Sequence, residues 1–390
     1  MGFLKKLQSE NRYVVFFFLY IGFCISYIDR SAIGLALPAV SKDFNLAPTE
    51  MGVVISAFFI GYSIMQIPGG WLSDHFGSKT VILVALTLWS IFTFTTGHAS
   101  TLAGLLFLRF VFGLCEGPYA GSCYRAIAEY FPRELRPAFT TGILSSNYIG
   151  SAMAPVVIVP LILWFGWRGM FQILGIVGLV YVFFYALFVK QTKPQEETEE
   201  DKSKKNKYFL HLLKFSLIWK LILCAFCISC INLKAVGYLT PIPFIASFLS
   251  TAICGWVMNK YFDKKENWMI VICAAMTAIF LYFMYNAETI MWVVIFQCGV
   301  YFFKACIMGT AVAIVLKIVT GSIAGCTSTL INMGGQVAGF ISPIIMGYLV
   351  YTFNGSFNAV FYYLMGVATL CAISALLIPT RKEDMLDLEK

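Results

Sequence analysis

Charge is what this sequence has least of. Only 12% of its 390 residues are Asp, Glu, Lys or Arg, about half the share of a soluble globular protein, while 59% are hydrophobic and the mean hydropathy is +0.79. A soluble domain is excluded and a membrane protein expected. The alternating ten-residue segments of an outer-membrane barrel are missing, which leaves helices as the spanning element. No short apolar run with a small-residue cleavage site opens the chain: the first run begins near Tyr13, continues past Leu37 and carries Arg30, so no removal of a leader is expected. The twelve cysteines all fall inside apolar runs, where a disulfide framework of the secreted kind has no place. Cys224, Cys227 and Cys230 share one helical face, but no His or carboxylate stands beside them, so packing is expected and a metal is not. There is no basic groove with interleaved aromatics, so the net charge of +8 does not point to nucleic acid. Nothing in the chain calls for a cofactor or for catalysis of covalent chemistry.

What is present is a series of apolar runs long enough to cross a hydrocarbon core of about 30 Å. They lie near 13–37, 51–72, 80–97, 102–123, 139–164, 169–189, 216–232, 236–258, 268–286, 290–315, 322–350 and 357–379. The expected fold class is therefore an all-α membrane protein with twelve transmembrane helices in two six-helix bundles. The amino-terminal bundle covers 1–190, a cytoplasmic linker 191–214, and the second bundle with a cytoplasmic tail 215–390. The linker is marked by its charge density and Pro194. Placing the amino terminus inside puts 21 of the 28 Lys and Arg on the cytoplasmic side, as the positive-inside rule asks, with Lys42, Arg168 and Lys234 outside. Both termini are then cytoplasmic. Trp71, Trp89, Trp164, Trp167, Trp268 and Trp292, near the ends of runs, read as an interfacial belt.

The halves look related. GGWLSDHFGSKT after the second run is echoed by CGWVMNKYFDKK after the eighth, which implies a duplicated six-helix unit of the kind that places a binding site between two bundles. The second copy is shorter around its first two helices. The run Leu217–Asn232 offers 16 residues, about 24 Å of helix, so helix seven either starts earlier, near Tyr208, or lacks a part.

Five ionisable side chains sit inside the runs: Asp29, Arg30, Arg109, Glu116 and Lys304. Each costs roughly 2.5 to 3.5 kcal/mol on insertion scales, so such residues face the protein interior or an aqueous cavity and have a function there. Arg109 and Glu116 are seven apart and project from one face. Arginine suits a carboxylate substrate because its planar fork donates two parallel hydrogen bonds and keeps its proton. A buried carboxyl suits proton carriage, because loss of water favours the neutral acid and a neighbouring guanidinium favours the ion. A buried structural ion-pair network is the other reading of the same four residues, and the two are compatible. Lys304 belongs to no motif and faces either the cavity or interfacial water. Tyr27, Tyr62, Asn147, Gln297 and Asn332 offer hydrogen-bonding groups to a hydroxyl-rich substrate, with helix packing the competing role for Asn147 and Gln297.

The segment GYSIMQIPGGWLSDHFGSKTVI resembles the loop motif of the major facilitator superfamily, with Gly70, Asp74 and Gly77 at the expected spacing, Lys79 in the basic position and His75 where Arg is more usual. YIDRSAIGLALP, LRFVFGLCEG, EYFPRELRP and FGWRGMFQILGIVG extend the likeness to the anion:cation symporter family, which includes hexuronate and aldonate permeases. The match covers nearly all of 12–190 and weakens afterwards to TPIPFIASFLST and LINMGGQVAGFISPIIMG. The resemblance implies that Arg30 and Arg109 contribute to an anion site and that Tyr27, Tyr62 and Asn332 contact substrate, while Asn147 stands where Gln is common. It implies that Asp29 and Glu116 couple to protons, and that Gly70, Asp74 and Gly77 form a gating latch. The implied function is proton-coupled symport of a small organic anion, such as a hexuronate, aldonate or aldarate, by a monomer in the lipid bilayer of the plasma (inner) membrane. A drug:proton antiporter is the nearest rival, but helix five, NYIGSAMAPVVIVP, lacks a Gly-Pro pair. A non-transporting relative acting as a sensor is the other, supported by the short helix seven.

Overall fold

The computed structural model describes residues 2–131, 136–190, 216–231, 241–262, 265–318 and 324–378. The side chains of Asp74 and Asn332, the linker 191–214 and Lys234 lie outside what it describes. The described chain is helical: α1 (Gly2–Phe44), α2 (Pro48–Phe76), α3 (Ser78–Thr96), α4 (Leu102–Tyr130), α5 (136–165), α6 (167–188), α7 (Ser216–Cys230), α8 (Pro241–Tyr261), α9 (Glu266–Tyr285), α10 (Ile290–Ile318), α11 (Ala324–Thr352) and α12 (Asn358–Leu376). Among the described residues nine helices are long and apolar enough to cross a membrane, counting the 44 residues of Ser145–Phe188 as one. That stretch would run about 66 Å if straight, and it is not. It breaks at Gly166, whose φ of 69° and ψ of 172° leave the helical region for one that favours glycine, and this separates α5 from α6. Two apolar stretches, Ser216–Cys230 and Pro241–Thr251, fall short of that length.

Local chemistry sets several ends. Pro48 opens α2 in the first turn, where its missing N–H costs nothing, and the Glu50 carboxylate accepts the Ala47 N–H at 2.8 Å. Gly77, at φ 81°, turns α2 directly into α3 while its N–H caps the Ser73 carbonyl at 3.0 Å. Thr101 caps α4 by accepting from Gly104 N–H at 3.1 Å.

The chain divides into two compact units, Met1–Gln195 and Glu196–Lys390. In the first, α1 packs on α5, α2 on α4, and α3 on both α4 and α6. In the second, α7 packs on α11, α8 on α10, and α9 on both α10 and α12. The pairings of the first unit thus recur in the second with every helix number raised by six.

The interiors differ. The second unit has one continuous apolar core running through all six helices, with Cys224, Cys227, Cys254, Cys273, Cys306 and Cys371 in it. The first has two apolar clusters, one using Val15 to Phe23 of α1 and the other Ala32 to Val40. Between them on α1 lie Ser26, Asp29 and Arg30. A polar layer therefore crosses the first unit at that height.

The tryptophans correct one expectation. Trp71, Trp164, Trp268 and Trp292 are exposed as a belt requires, but Trp89 is fully buried against Tyr119 and Trp167 is buried with its indole N–H on Asp43 at 2.8 Å. These two rings close the interior of the first unit and do not face the lipid interface.

Candidate functional site

Helix periodicity brings the site together. Ser26 and Arg30 are one turn apart on α1 and both reach Glu116 of α4: the Ser26 hydroxyl and the Arg30 Nε–H donate to the same carboxylate oxygen, the latter at 2.7 Å. Phe58 and Tyr62, one turn apart on α2, present their rings to the Arg30 guanidinium at 5.4 and 4.2 Å, and Tyr27 does so from α1 at 4.9 Å. The guanidinium is thus held by three aromatic rings and one carboxylate. Its side chain keeps 12% exposure while Glu116 has none.

Asp29 is next in sequence to Arg30 and points elsewhere, because consecutive helical residues diverge by about 100°. It is buried beside the Trp89 indole, within electrostatic reach of Glu116 and Arg109. Arg109, only 1% exposed, lies between the rings of Phe112 and Phe171 at 4.8 and 4.9 Å and donates to the Thr96 hydroxyl at 3.4 Å. Arg109 and Glu116 do share a face of α4, but seven residues also separate them by about 10 Å along the axis. The hydrogen bonds and ring contacts of Arg30 and of Arg109 fall on different side chains. Arg30 belongs to the α1–α2–α4 side of the layer and Arg109 to the α3–α4–α6 side, with Glu116 within electrostatic reach of both and Asp29 within reach of Glu116 and Arg109.

Four charges, two of each sign, therefore balance inside the first unit, yet their hydrogen bonds are incomplete. Asp29 Oδ1, Glu116 Oε2, and Arg109 Nε and Nη1 are buried without a hydrogen-bond partner, as are the hydroxyls of Ser90 and Thr93 on α3. Buried polar groups are normally bonded, and a cluster of exceptions marks a place that does something other than hold the fold.

The α2–α4 crossing sets the distances. A Cβ on Gly61 would stand 2.1 Å from the Phe110 carbonyl, and one on Gly113 2.1 Å from the Phe58 carbonyl. The two backbones approach this closely because side chains are missing on both sides, and that approach delivers Phe58 and Tyr62 to Arg30. Gly70 is different: a Cβ there would meet nothing within 4 Å. Close approach of α2 and α4 thus rests on Gly61 and Gly113, and Gly77 makes the turn from α2 into α3. Asp74 lies in the last turn of α2, its side chain outside the described residues.

Of the other expected contacts, Asn147 is half-buried on α5 with Oδ1 unbonded, Gln297 is buried on α10 of the second unit, and Asn332 falls on α11 with its side chain outside the described residues. Lys304 donates to the Ile231 carbonyl at 2.6 Å within the second unit. Sequence reasoning missed Ser26, Phe58, Trp89 and Thr96. Ser26 and Phe58 each precede a named residue by one turn, which is the signal that could have found them; Trp89 carries none, since its ring reads as part of the interfacial belt.

The superfamily model described as Major Facilitator Superfamily matches residues 19–242 and 230–388. The chain belongs to the major facilitator superfamily. Within it, this chain is 26% identical over 411 residues to the "Probable sulfoacetate transporter SauU" of Cupriavidus necator, covering 94% of each chain. It is 27% identical over 432 residues to the "Probable galactarate/D-glucarate transporter GudP" of Escherichia coli K12, covering 95% of this chain and 94% of the other. With the hexuronate transporter of Bacillus subtilis it shares 31% over 166 residues, 43% of this chain and 39% of that one. Its fold is that of the xylose transporter XylE of E. coli in its inward-open conformation, with a TM-score of 0.79 at 16% identity over 97% of this chain and 99% of that chain. These relatives are transporters and not enzymes, and this superfamily member is a multi-pass membrane protein.

Proposed function

We propose that this protein is a proton-coupled symporter that carries a small organic anion, a sugar acid or a similar carboxylate or sulfonate, across a bacterial plasma membrane by alternating access. The observation that carries the reading is the Arg30–Glu116 pair. A guanidinium framed by Tyr27, Phe58 and Tyr62 already holds one carboxylate at 2.7 Å, and a planar fork that accepts an internal carboxylate accepts a substrate's on the same terms. Glu116, displaced by the anion, loses its counter-charge in a dry site, where taking a proton is the least costly response. Anion and proton then bind together and leave together. Names of the relatives support the substrate class: sulfoacetate, galactarate, glucarate and hexuronates are all organic anions.

In this reading Arg30, Tyr27 and Tyr62 contact the anion, and Asn147 and Asn332 serve its hydroxyls. Asp29 and Glu116 carry protons, Arg109 balances Asp29, and Gly70, Asp74 and Gly77 belong to the gate. Both termini are cytoplasmic and the monomer is the working unit. The short apolar run Leu217–Asn232 favours a second reading, a relative that binds its anion as a sensor without moving it.

The test is uptake of labelled galactarate, glucarate, hexuronate and sulfoacetate into proteoliposomes under an imposed pH gradient. Arg30→Lys, which loses the bidentate geometry, is expected to abolish uptake despite normal insertion. Glu116→Gln is expected to keep counterflow exchange and lose gradient-driven accumulation. Accumulation by Glu116→Gln at the wild-type level would remove that residue from coupling, and anion binding without uptake by the wild type would favour the sensor.

A further inference from the structure

Asp43 stands where a helix disfavours a carboxylate. It lies in the last turn of α1, at the negative end of the helix dipole. α1 closes without it: Asn45 takes a left-handed φ of 52° and the Leu46 N–H returns to the Ser41 carbonyl at 3.0 Å. What holds Asp43 is the start of α6. The break at Gly166 makes Trp167 and Arg168 the first residues of that helix, and both donate to Asp43 Oδ2, the Trp167 indole N–H at 2.8 Å and the Arg168 guanidinium through Nη1. The two donors are not equivalent. The Arg168 and Asp43 side chains are 43% and 41% exposed, and an ion pair so open to water contributes little. The Trp167 ring is buried, and a buried indole N–H needs an acceptor.

From this clasp a line of contacts leads inward. Trp167 meets Phe171, one turn on in α6, edge to face with centroids 6.3 Å apart. The Phe171 ring, fully buried, faces the Arg109 guanidinium at 4.9 Å. A second line joins the same two ends: Arg168 Nη2 donates to the Ala99 carbonyl at 3.4 Å, a Cβ on Gly97 would stand 2.4 Å from the Arg168 carbonyl, and Thr96, the residue before Gly97, accepts from Arg109. Arg109 Nε and Nη1 bond to nothing, so its flanking rings and Thr96 define where the guanidinium sits. We infer that Asp43 is a positioning residue for Arg109, acting through Trp167 and Phe171. Its consequence rests on the transport reading. Arg109 lies within electrostatic reach of Asp29 and Glu116, so a guanidinium that shifts disturbs the charges assigned to proton coupling and leaves the anion contact of Arg30 in place.

The experiment is a double-mutant cycle in thermal unfolding of the purified full-length protein in detergent, combining Asp43→Ala with Arg109→Met. Residues without shared partners normally act additively. Here Asp43→Ala is expected to lower the melting temperature by about 3 °C or more in wild type, and by less than half as much in the Arg109→Met background. Asp43→Asn, which keeps an acceptor for the indole N–H and drops the charge, is expected to melt close to wild type. Additivity in the cycle, or an Asn variant as unstable as Ala, overturns the inference. If either single variant does not fold, Trp167→Phe and Phe171→Leu, milder cuts in the same line, take the two places in the cycle, and additivity between them overturns it equally. In proteoliposomes Asp43→Ala is expected to lose about fivefold or more of gradient-driven glucarate accumulation while counterflow exchange stays within about twofold of wild type. Equal loss of both marks a merely structural role and overturns the inference. A wild type that accumulates no anion overturns the transport reading alone, since the cycle still decides whether Asp43 positions Arg109.

Discussion

Asp29 and Arg30 are neighbours in the chain and part company in space, which is why two buried acid–base relationships arise from one dipeptide. Arg30 meets Glu116 directly; Asp29 faces Trp89 and the field of Arg109. The second relationship is the more fragile, since Arg109 makes a single long hydrogen bond to Thr96 and leaves Nε and Nη1 unbonded. Removing one member of a buried pair strands the other charge, at about 3–5 kcal/mol, whereas replacing both by apolar groups of similar volume is close to neutral. Arg109→Met alone is therefore expected to destabilise the protein by about that amount, and Asp29→Leu with Arg109→Met to recover most of it, as measured by unfolding midpoints in detergent. A double variant no more stable than the single would show that the two charges do not hold each other. The five ionisable residues were legible in the sequence because any charge within an apolar run declares itself. Their partners were not: a heptad spacing puts Arg109 and Glu116 on one face of α4 and says nothing of the 10 Å of height that sends one to Phe171 and the other to Ser26.

Elements carry the next constraint. α2 and α4 cross where Gly61 faces Phe110 and Gly113 faces Phe58, and the stacking of Phe58 and Tyr62 on Arg30 depends on that approach. Any side chain at Gly113 must push against backbone, which cannot yield as a flexible side chain does. Overpacking of this kind costs about 1–3 kcal/mol, and here it also moves two of the three rings off the guanidinium. Gly113→Val is expected to lower both the unfolding midpoint and anion uptake, while Gly70→Ala, with nothing within 4 Å of the new methyl, is expected to leave stability within about 0.5 kcal/mol of wild type. Equal losses in the two variants would show that glycine at the crossing has no special part. The sequence marks Gly70 more loudly, since it stands in a motif; Gly61 and Gly113 sit unadorned in apolar runs, and only the partner helix reveals why they lack side chains.

At the scale of the whole molecule, the repetition of helix pairings between units explains why weak internal similarity was readable at all: GGWLSDHFGSKT and CGWVMNKYFDKK include the last two turns of α2 and α8, which pack on α4 and α10 in the same way. The units diverge in their interiors. Among the described residues the first divides its core with a charged layer and the second does not, so the chemistry of Arg30, Asp29, Arg109 and Glu116 belongs to one copy of the duplicated unit. The second copy is shorter in sequence around its first two helices, and apolar periodicity flags the deficit without locating it. Length arithmetic makes the consequence testable. The apolar run Leu217–Asn232, about 24 Å as helix, spans a core of about 30 Å only if flanking residues or a thinner bilayer supply the difference. A re-entrant hairpin of α7 and α8 would keep both termini on one side just as two full passes would, so terminal reporters alone do not separate them. Labelling at a residue between the two helices in sequence does. Lys234→Cys is expected to react with a membrane-impermeant maleimide added outside intact cells, and Lys202→Cys in the linker only after permeabilisation. A Lys234→Cys that reacts solely from inside would leave α7 and α8 as a hairpin dipping into the bilayer and reduce the crossing helices of the second unit to four.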